Sequence, residues 1–463
     1  MSKLAKPAPE FTSASDRAVA SNENAGGVSL SDRAKENVRW FLNKHMRQVA
    51  RLSARETRIN MMTAENWLAR SELVKAYKSH IEKNFSPSHL SYADGLGGDG
   101  ELLQAAAGFF NRYFHTHTPV EAQHIVAGAG CSSLLEGLLY DVCEPGDGVL
   151  IETPYWGGFE TTFVLRAKIQ PVHVQIPSDL HMVDVSLASY ISAYETALQN
   201  AKCKIKAIIF CNPHNPRGSL YPPALIEALL KFAERHDLYF LSDEIYGLSV
   251  FKESSPDTTT DVFVSVLEMD LARLGVSPAR GFAIMQAHPD LRLSLAISNH
   301  SMTSTLTSVA TTALLKNEDG ALDMILANSR SNLRQSSQII IDFLSFHEIP
   351  FYTPVAGVYI WARLGHLVNT WEEEADLNNK MEAAGVSVGA GRGYNEAQPG
   401  WFRITFALPE KELLEGLRRI EAAIGCDRKW QGKSNGIKPW DSNKDENNFV
   451  HMILKLVLGR VWL

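Results

Sequence analysis

The sequence predicts an α/β fold built on a mostly parallel sheet, with a second, smaller α/β domain. Three observations carry this. First, Ala207 to Tyr246 reads as strand, helix, strand. An apolar run closes on Asn212-Pro213-His214-Asn215-Pro216, a helical stretch reaches Asp237, and a second apolar run closes on Asp243-Glu244-Ile245-Tyr246. Parallel neighbours need such a crossover, and ligands of parallel sheets collect beyond the strand ends. Second, two earlier stretches have related form. His124–Gly128 reads as a strand running into Ala129-Gly130-Cys131-Ser132-Ser133 and a helix from Leu134, and Glu144–Ile151 supplies a turn and strand leading to Thr153–Phe159. Third, a long helical pattern from Ala321 to about Phe346 precedes three strand patterns, Gly357–Trp361, Gly385–Val388 and Trp401–Ala407. An amphipathic helix over Pro409–Ile424 follows them.

The chain has 463 residues, enough for about two to four domains. Residues 1–30 are rich in Ser, Ala, Pro and Asn without periodicity and are expected to be a disordered arm. From Asp32 to about Leu52 the pattern is helical, with Val38, Phe41, Leu42, Met46 and Val49 on one side. The expected division gives 31–75 to the small domain, 76–345 to the large domain, 346–430 to the small domain again, and 431–463 to a tail. A net charge of −7 offers no basic field for nucleic acid or an anionic membrane. Five cysteines, odd in number and without metal-ligand spacing, read as reduced thiols of a cytoplasmic protein. The opening MSKLAKPAPE has no apolar core for a secretory signal, and the closing FVHMILKLVLGRVWL is too short and too charged to span a bilayer.

The strand ends carry the chemistry. Asp243 follows Leu238-Tyr239-Phe240-Leu241, and a carboxylate at the end of so apolar a run needs a cation or donors. A protonated pyridine nitrogen is such a partner. Tyr246, three residues on, and Asn215, on the neighbouring strand end, can donate to a phenolate-like oxygen, so the three suit an aromatic ring bearing both a ring nitrogen and a hydroxyl. The competing reading is an Asn-Pro turn and an Asp helix cap. Arg403 stands inside the apolar run Trp401–Ala407, which is costly for a guanidinium without an anionic partner. That partner is either a ligand or a structural carboxylate.

NPHNPRG followed by SDEIY resembles the fold type I pyridoxal-phosphate (PLP) enzymes, within them the branch of 1-aminocyclopropane-1-carboxylate (ACC) synthases and class I aminotransferases. The resemblance runs from about Ile59 to about Ile424. It implies the aspartate aminotransferase-like fold, PLP as cofactor, an α-amino acid or amino-acid conjugate as substrate, and a homodimer. It implies Asp243 facing the pyridine nitrogen, Tyr246 and Asn215 the ring hydroxyl, and Trp156 (or Tyr155) the ring face. It implies main-chain donors of Gly130, Cys131 and Ser132 at the phosphate, with Tyr92, in the glycine-rich loop Ser91–Gly98, reaching the phosphate of the partner subunit. Arg403, in Pro399-Gly400-Trp401-Phe402-Arg403, would clamp the substrate α-carboxylate. Glu65, in an Ala-Glu-Asn context, matches a residue that helps ACC synthases bind S-adenosylmethionine. The competing readings are a helix N-terminal carboxylate for Glu65, interface packing for Tyr92 and core packing for Trp156.

One segment departs from the family. Where the family continues with a strand, Ser-Lys, a glycine-containing loop and an Arg, this chain reads VFVSVLEMDLARLGVSPARGFAIMQAHPDL. Val262 to Arg280 resembles the helix and turn before the lysine strand, and Gly281–Met285 the strand after the lysine loop. One strand and its loop, roughly 20 residues by ordinary element lengths, are missing between them. No lysine stands between Lys252 and Lys316. That lysine normally binds the cofactor covalently and moves the α-proton of the substrate. Arg280 is the one candidate for the family's phosphate-binding Arg, although its Ser-Pro-Ala-Arg context belongs to the preceding turn. The expectation is therefore a PLP enzyme of aminotransferase or ACC synthase type, catalytically impaired and holding PLP weakly without a covalent bond. The alternatives are a non-catalytic scaffold or partner of an intact paralogue, a carbon–sulfur lyase of cysteine conjugates, or a printed chain that omits a coding segment.

Overall fold

The structure, a computed structural model, describes residues 30–51, 58–92, 95–177, 186–252, 262–278, 281–282, 289–300, 302–365, 367–426 and 428–432. The chain divides into two compact units, Met1–Arg58 and Ile59–Leu463. In the first, one helix spans Asp32–Arg51. Ser31 Oγ caps it by accepting from the Ala34 N–H at 3.2 Å, and Asp32 pairs with Lys35 in its first turn. All of the expected arm except Leu30, and the tail beyond residue 432, lie outside the described residues.

The second unit opens with β1 (Ile59–Asn60). Five strands then build the large sheet: β2 (Gly148–Thr153), β3 (Gln170–Gln175), β4 (Ile205–Cys211), β5 (Tyr239–Asp243) and β6 (Gly281–Phe282). Their order is β3-β2-β4-β5-β6 and every pairing is parallel. Helices Gly158–Val164, Leu187–Asn200 and Pro223–Arg235 make the crossovers. Because side chains alternate along a strand, the apolar runs feed two cores. Leu150, Ile208, Phe210 and Phe240 pack with Ile226 and Leu229, while Val149, Ile151, Ile209 and Leu241 pack with Leu139 and Phe163. Cys211 lies level with Asp243 in the ladder, so the segments after β4 and β5 emerge side by side.

The C-terminal third forms a four-stranded antiparallel sheet from β7 (Phe351–Tyr352), β8 (Tyr359–Ala362), β10 (Gly389–Ala390) and β11 (Phe402–Thr405), in the order β10-β11-β8-β7. Between them in sequence, β9 (Val386–Ser387) pairs in parallel with β1. Helices Ala321–Phe346 and Glu410–Ile424 cover this unit, burying Phe343 and Leu417 with Ile360 and Phe402. Gly425 closes the last helix in the left-handed conformation.

Two expected strands differ. His124–Gly128 is not a strand: Ala122–His124 forms a 3-10 turn, and the following residues are extended, with the Ala127 N–H donating to Gly97 O at 2.6 Å. A strand exists only beside another, and no described strand lies alongside to supply a ladder. Of Gly281–Met285, a two-residue strand is described, and it lies directly against β5. Residues 283–288 and the candidate Arg280 lie outside the described residues.

Candidate active site

The end of β5 places Asp243 half-buried, its Oδ1 accepting from the Ile245 N–H at 3.2 Å and the Cys131 thiol at 3.8 Å. Neither partner is cationic. Burial therefore dominates and pushes the carboxyl up to about 6, against the opposing pull of those two donors. Glu244 beside it is also pushed up, to about 7, by burial, although Ser265, Val266 and Ser242 donate to it. A protonated ring nitrogen would give Asp243 the cation it lacks.

Tyr246 is buried, its ring edge-on to Tyr359 at 5.3 Å. Burial raises its hydroxyl above the ordinary tyrosine range, outweighing nearby Arg403, so it stays a neutral donor. Asn215 is buried in the turn after β4. Its Oδ1 accepts from Arg403 Nη1 at 2.9 Å, which leaves the amide NH₂ as the donor for a ring hydroxyl.

Arg403 is buried on β11, between the rings of Tyr359 at 4.9 Å and Tyr394 at 5.1 Å. Nη2 donates to Met62 O at 2.6 Å, while Nε is buried without a hydrogen-bond partner. Among the described residues no carboxylate is one of its hydrogen-bond acceptors, so a buried cation with a spare donor could hold an anionic ligand.

Trp156 is half-buried, edge-on to Phe159 at 5.5 Å. Tyr155 points away into the fold, its hydroxyl bonded to His173 Nε2 at 3.1 Å, so of the two Trp156 is the one that could meet a ring face. This corner is tight: a Cβ on Gly157 would lie 2.2 Å from Gly393 O. Gly130 turns the chain at φ 124° into the helix Cys131–Val142. Ser133 and Leu134 N–H groups bond back to Gly130 O, so the first-turn donors left for an anion are those of Cys131 and Ser132.

The remaining candidates stand apart. Tyr92 is 92% exposed. Glu65 Oε2 is paired with Arg70 Nη2 at 2.6 Å, and that guanidinium lies over Trp67 at 3.5 Å, a local arrangement that already satisfies the carboxylate. The lysines flanking the departing segment are placed elsewhere: Lys316 is paired with Glu101, and Lys252 is exposed on the chain beside Val355. The sequence reading passed over Glu152 and Arg217, a buried ion pair at 2.7 Å behind Asn215. A charged residue in the apolar run Gly148–Thr153 was the available signal, the same one that singled out Arg403.

A parallel sheet with paired strand ends, a half-buried carboxylate at one of them and a buried guanidinium nearby describe an aspartate aminotransferase-like fold. The aspartate aminotransferase-like fold is found in solved structures: a Thermus thermophilus aspartate aminotransferase mutant matches with a TM-score of 0.65 at 20% identity, covering 86% of this chain and 100% of that one. A structure titled Pyrococcus protein-A1 matches with a TM-score of 0.66 at 17% identity, over 84% and 98%. The family model "Aminotransferase class I and II" matches residues 64–420, and the chain belongs to that PLP-dependent family. Among its relatives, "Probable aminotransferase gliI" of Aspergillus fumigatus is 56% identical over 433 residues, covering 87% of this chain and 97% of that protein. "Aminotransferase verI" of Clonostachys rogersoniana is 42% identical, over 87% and 95%. A mouse protein named "Probable inactive 1-aminocyclopropane-1-carboxylate synthase-like protein 2" is 30% identical, over 78% and 65%. The Aspergillus alignment is longer than 87% of the 463 residues here, so that relative carries residues without a counterpart in this chain.

Proposed function

We propose that this chain binds PLP without a covalent bond, holds the α-carboxylate of an amino acid at Arg403, and lacks the base that family members use at the α-carbon. The observation that carries the reading is the absence of lysine from 253 to 315, in a chain whose β6 pairs directly with β5.

Asp243 would hold the ring nitrogen, Tyr246 and Asn215 the ring hydroxyl, Trp156 one ring face, and the N–H groups of Gly130, Cys131 and Ser132 the phosphate. Tyr92 would come from a second copy in a homodimer, a role that suits its exposure. When bound, the cofactor supplies an electron sink for the bonds at the substrate α-carbon. Arg403 would orient the substrate, with Tyr359 and Tyr394 keeping the guanidinium in plane and water away. A base must come within about 2.6–3.2 Å of the proton it moves. In these roles Tyr246 is engaged at the ring hydroxyl and Asp243 at the ring nitrogen, so neither serves the α-carbon.

The test follows α-proton exchange of L-amino acids in deuterated water by the PLP-loaded chain, beside borohydride reduction and peptide mapping. Exchange no faster than with free PLP, and no reduced adduct on a lysine, are expected. Enzymatic exchange, or a unique labelled lysine, sinks the reading.

A further inference from the structure

We propose that Glu152 and Arg217 form a positioning pair that fixes Asn215, and through it the guanidinium of Arg403, in the geometry that binds a carboxylate. The proposal rests on the reading of Arg403 as the carboxylate clamp.

Glu152, near the end of β2, is 5% exposed and accepts three hydrogen bonds: from Arg217 Nη1 at 2.7 Å, Tyr221 OH at 2.7 Å and Tyr190 OH at 2.8 Å. Burial holds both tyrosines far above their ordinary range, so they remain neutral donors. Burial is the largest influence on Arg217 and would lower it, but the Glu152 carboxylate together with Tyr352, Tyr190 and Tyr221 outweighs burial and keeps the guanidinium charged. Arg217 also reaches beyond Glu152. Its Nη2 donates to Thr153 O at 3.4 Å, its backbone N–H donates to His214 Nδ1 at 3.4 Å, and its guanidinium lies 5.4 Å from the Tyr352 ring centroid. Burial, helped by Arg217, keeps His214 neutral and hence an acceptor.

These contacts bracket the clamp. Asn215 lies two residues before Arg217 in the same turn and holds Arg403 Nη1. Tyr352 packs on Trp401 at 5.4 Å, two residues before Arg403. The turn needs an anchor because packing behind it is incomplete: a small cavity there is lined by Cys211, His214, Asn215 and Tyr221, with Glu152 and Tyr194. The Tyr194 hydroxyl is buried without a hydrogen-bond partner. Backbone hydrogen bonds, His214 N–H to Ser219 O and Gly218 N–H to His214 O at 2.8 Å each, set the turn's own shape, while the Glu152–Arg217 pair ties it to β2. Buried ion pairs contribute little net stability against apolar replacements of similar volume, so the pair's effect lies in geometry.

The experiment titrates 3-phenylpropanoate, a carboxylate without an amine, into the PLP-loaded full chain by calorimetry, with thermal midpoints recorded alongside. The variants are Arg217→Lys, which keeps the charge but not the fork, and the double variant Glu152→Gln/Arg217→Met, which removes both charges at similar volume. Carboxylate affinity is expected to fall about tenfold in both, with the midpoint of the double variant within a few degrees of the parent, because a misplaced support loosens a site more than it unfolds a core. Parental affinity in either folded variant overturns the proposal; if the double variant does not fold, Arg217→Lys decides. No binding of the probe to the parent chain overturns the Arg403 reading and this proposal with it.

Discussion

At the scale of single residues, the site stores electrostatic cost that a ligand would relieve. Asp243 titrates near 6 in the folded chain against 3.8 for the ordinary carboxyl. The folded state thus holds the proton longer than the unfolded chain. Its contribution is neutral below the unfolded value and becomes a full penalty above the folded one, so stability is lost as pH rises from about 4 to about 6. Asp243→Asn removes the penalty. In the cofactor-free chain at pH 7.5 it is expected to gain about 1–3 kcal/mol, read by chemical denaturation, while PLP affinity falls at least about tenfold. A variant no more stable than the parent at pH 7.5 contradicts this account of the shift. Arg403→Leu is expected to abolish measurable carboxylate binding by calorimetry, with the strand still folded, because it removes the buried charge and the Nε donor that no described group takes up. Undiminished affinity would assign the carboxylate to another group. Both residues were legible in the sequence because each is a charge in an apolar run. Glu152 met the same criterion and was passed over, since its partner lies 65 positions away and the meaning of a buried charge depends on what it meets.

At the scale of elements, the departing segment matters most. β6 stands directly beside β5, where it forms the described edge of the sheet, and His124–Gly128 has no ladder although its sequence suits a strand. Strand character is a property of a pair, which a single segment of sequence cannot reveal. Inserting a family-like Ser-Lys strand and loop between Arg280 and Gly281 is expected to restore a borohydride-reducible adduct on the new lysine and α-proton exchange in deuterated water. An insertion that folds and binds PLP yet exchanges no faster than the parent would show that the lysine is not the missing element. Elsewhere the elements follow their patterns. In the helix Glu410–Ile424, Leu413, Leu417 and Ile420 are fully buried at helical spacing. Leu417→Ala is expected to cost about 2–5 kcal/mol in urea unfolding, as cavity-forming substitutions do. A change within 0.5 kcal/mol, roughly that of surface sites, would show the packing there to be loose.

At the scale of the whole molecule, PLP should act as a reversible stabiliser. A ligand that binds only the folded state adds about 2.7 kcal/mol at one hundred times its dissociation constant. A thermal midpoint that rises with PLP concentration and returns after dialysis is expected of this chain, because the phosphate and ring contacts assigned to Gly130, Asn215, Asp243 and Tyr246 need no covalent bond. A midpoint shift that survives dialysis would point to covalent attachment. No described helix is long and apolar enough to cross a membrane.

The sequence by itself determined the parallel βαβ core and the three later strand patterns, and singled out Asp243, Tyr246, Asn215 and Arg403 as candidates. Each of these follows from local information: the period of apolar residues, a turn chemistry, or a charge inside an apolar run. It also determined that the lysine is missing, since a residue type absent from a span needs no structure to be noticed. Only the tertiary structure decided which residues meet. It placed Asn215 as the acceptor for Arg403, turned Tyr155 inward onto His173, tied Glu65 to Arg70, and set Glu152 against Arg217 behind Asn215. The physical reason is range. Helix and strand periods are set within a few residues, whereas these contacts join strand ends and loops far apart in the chain, and register and packing bring them together.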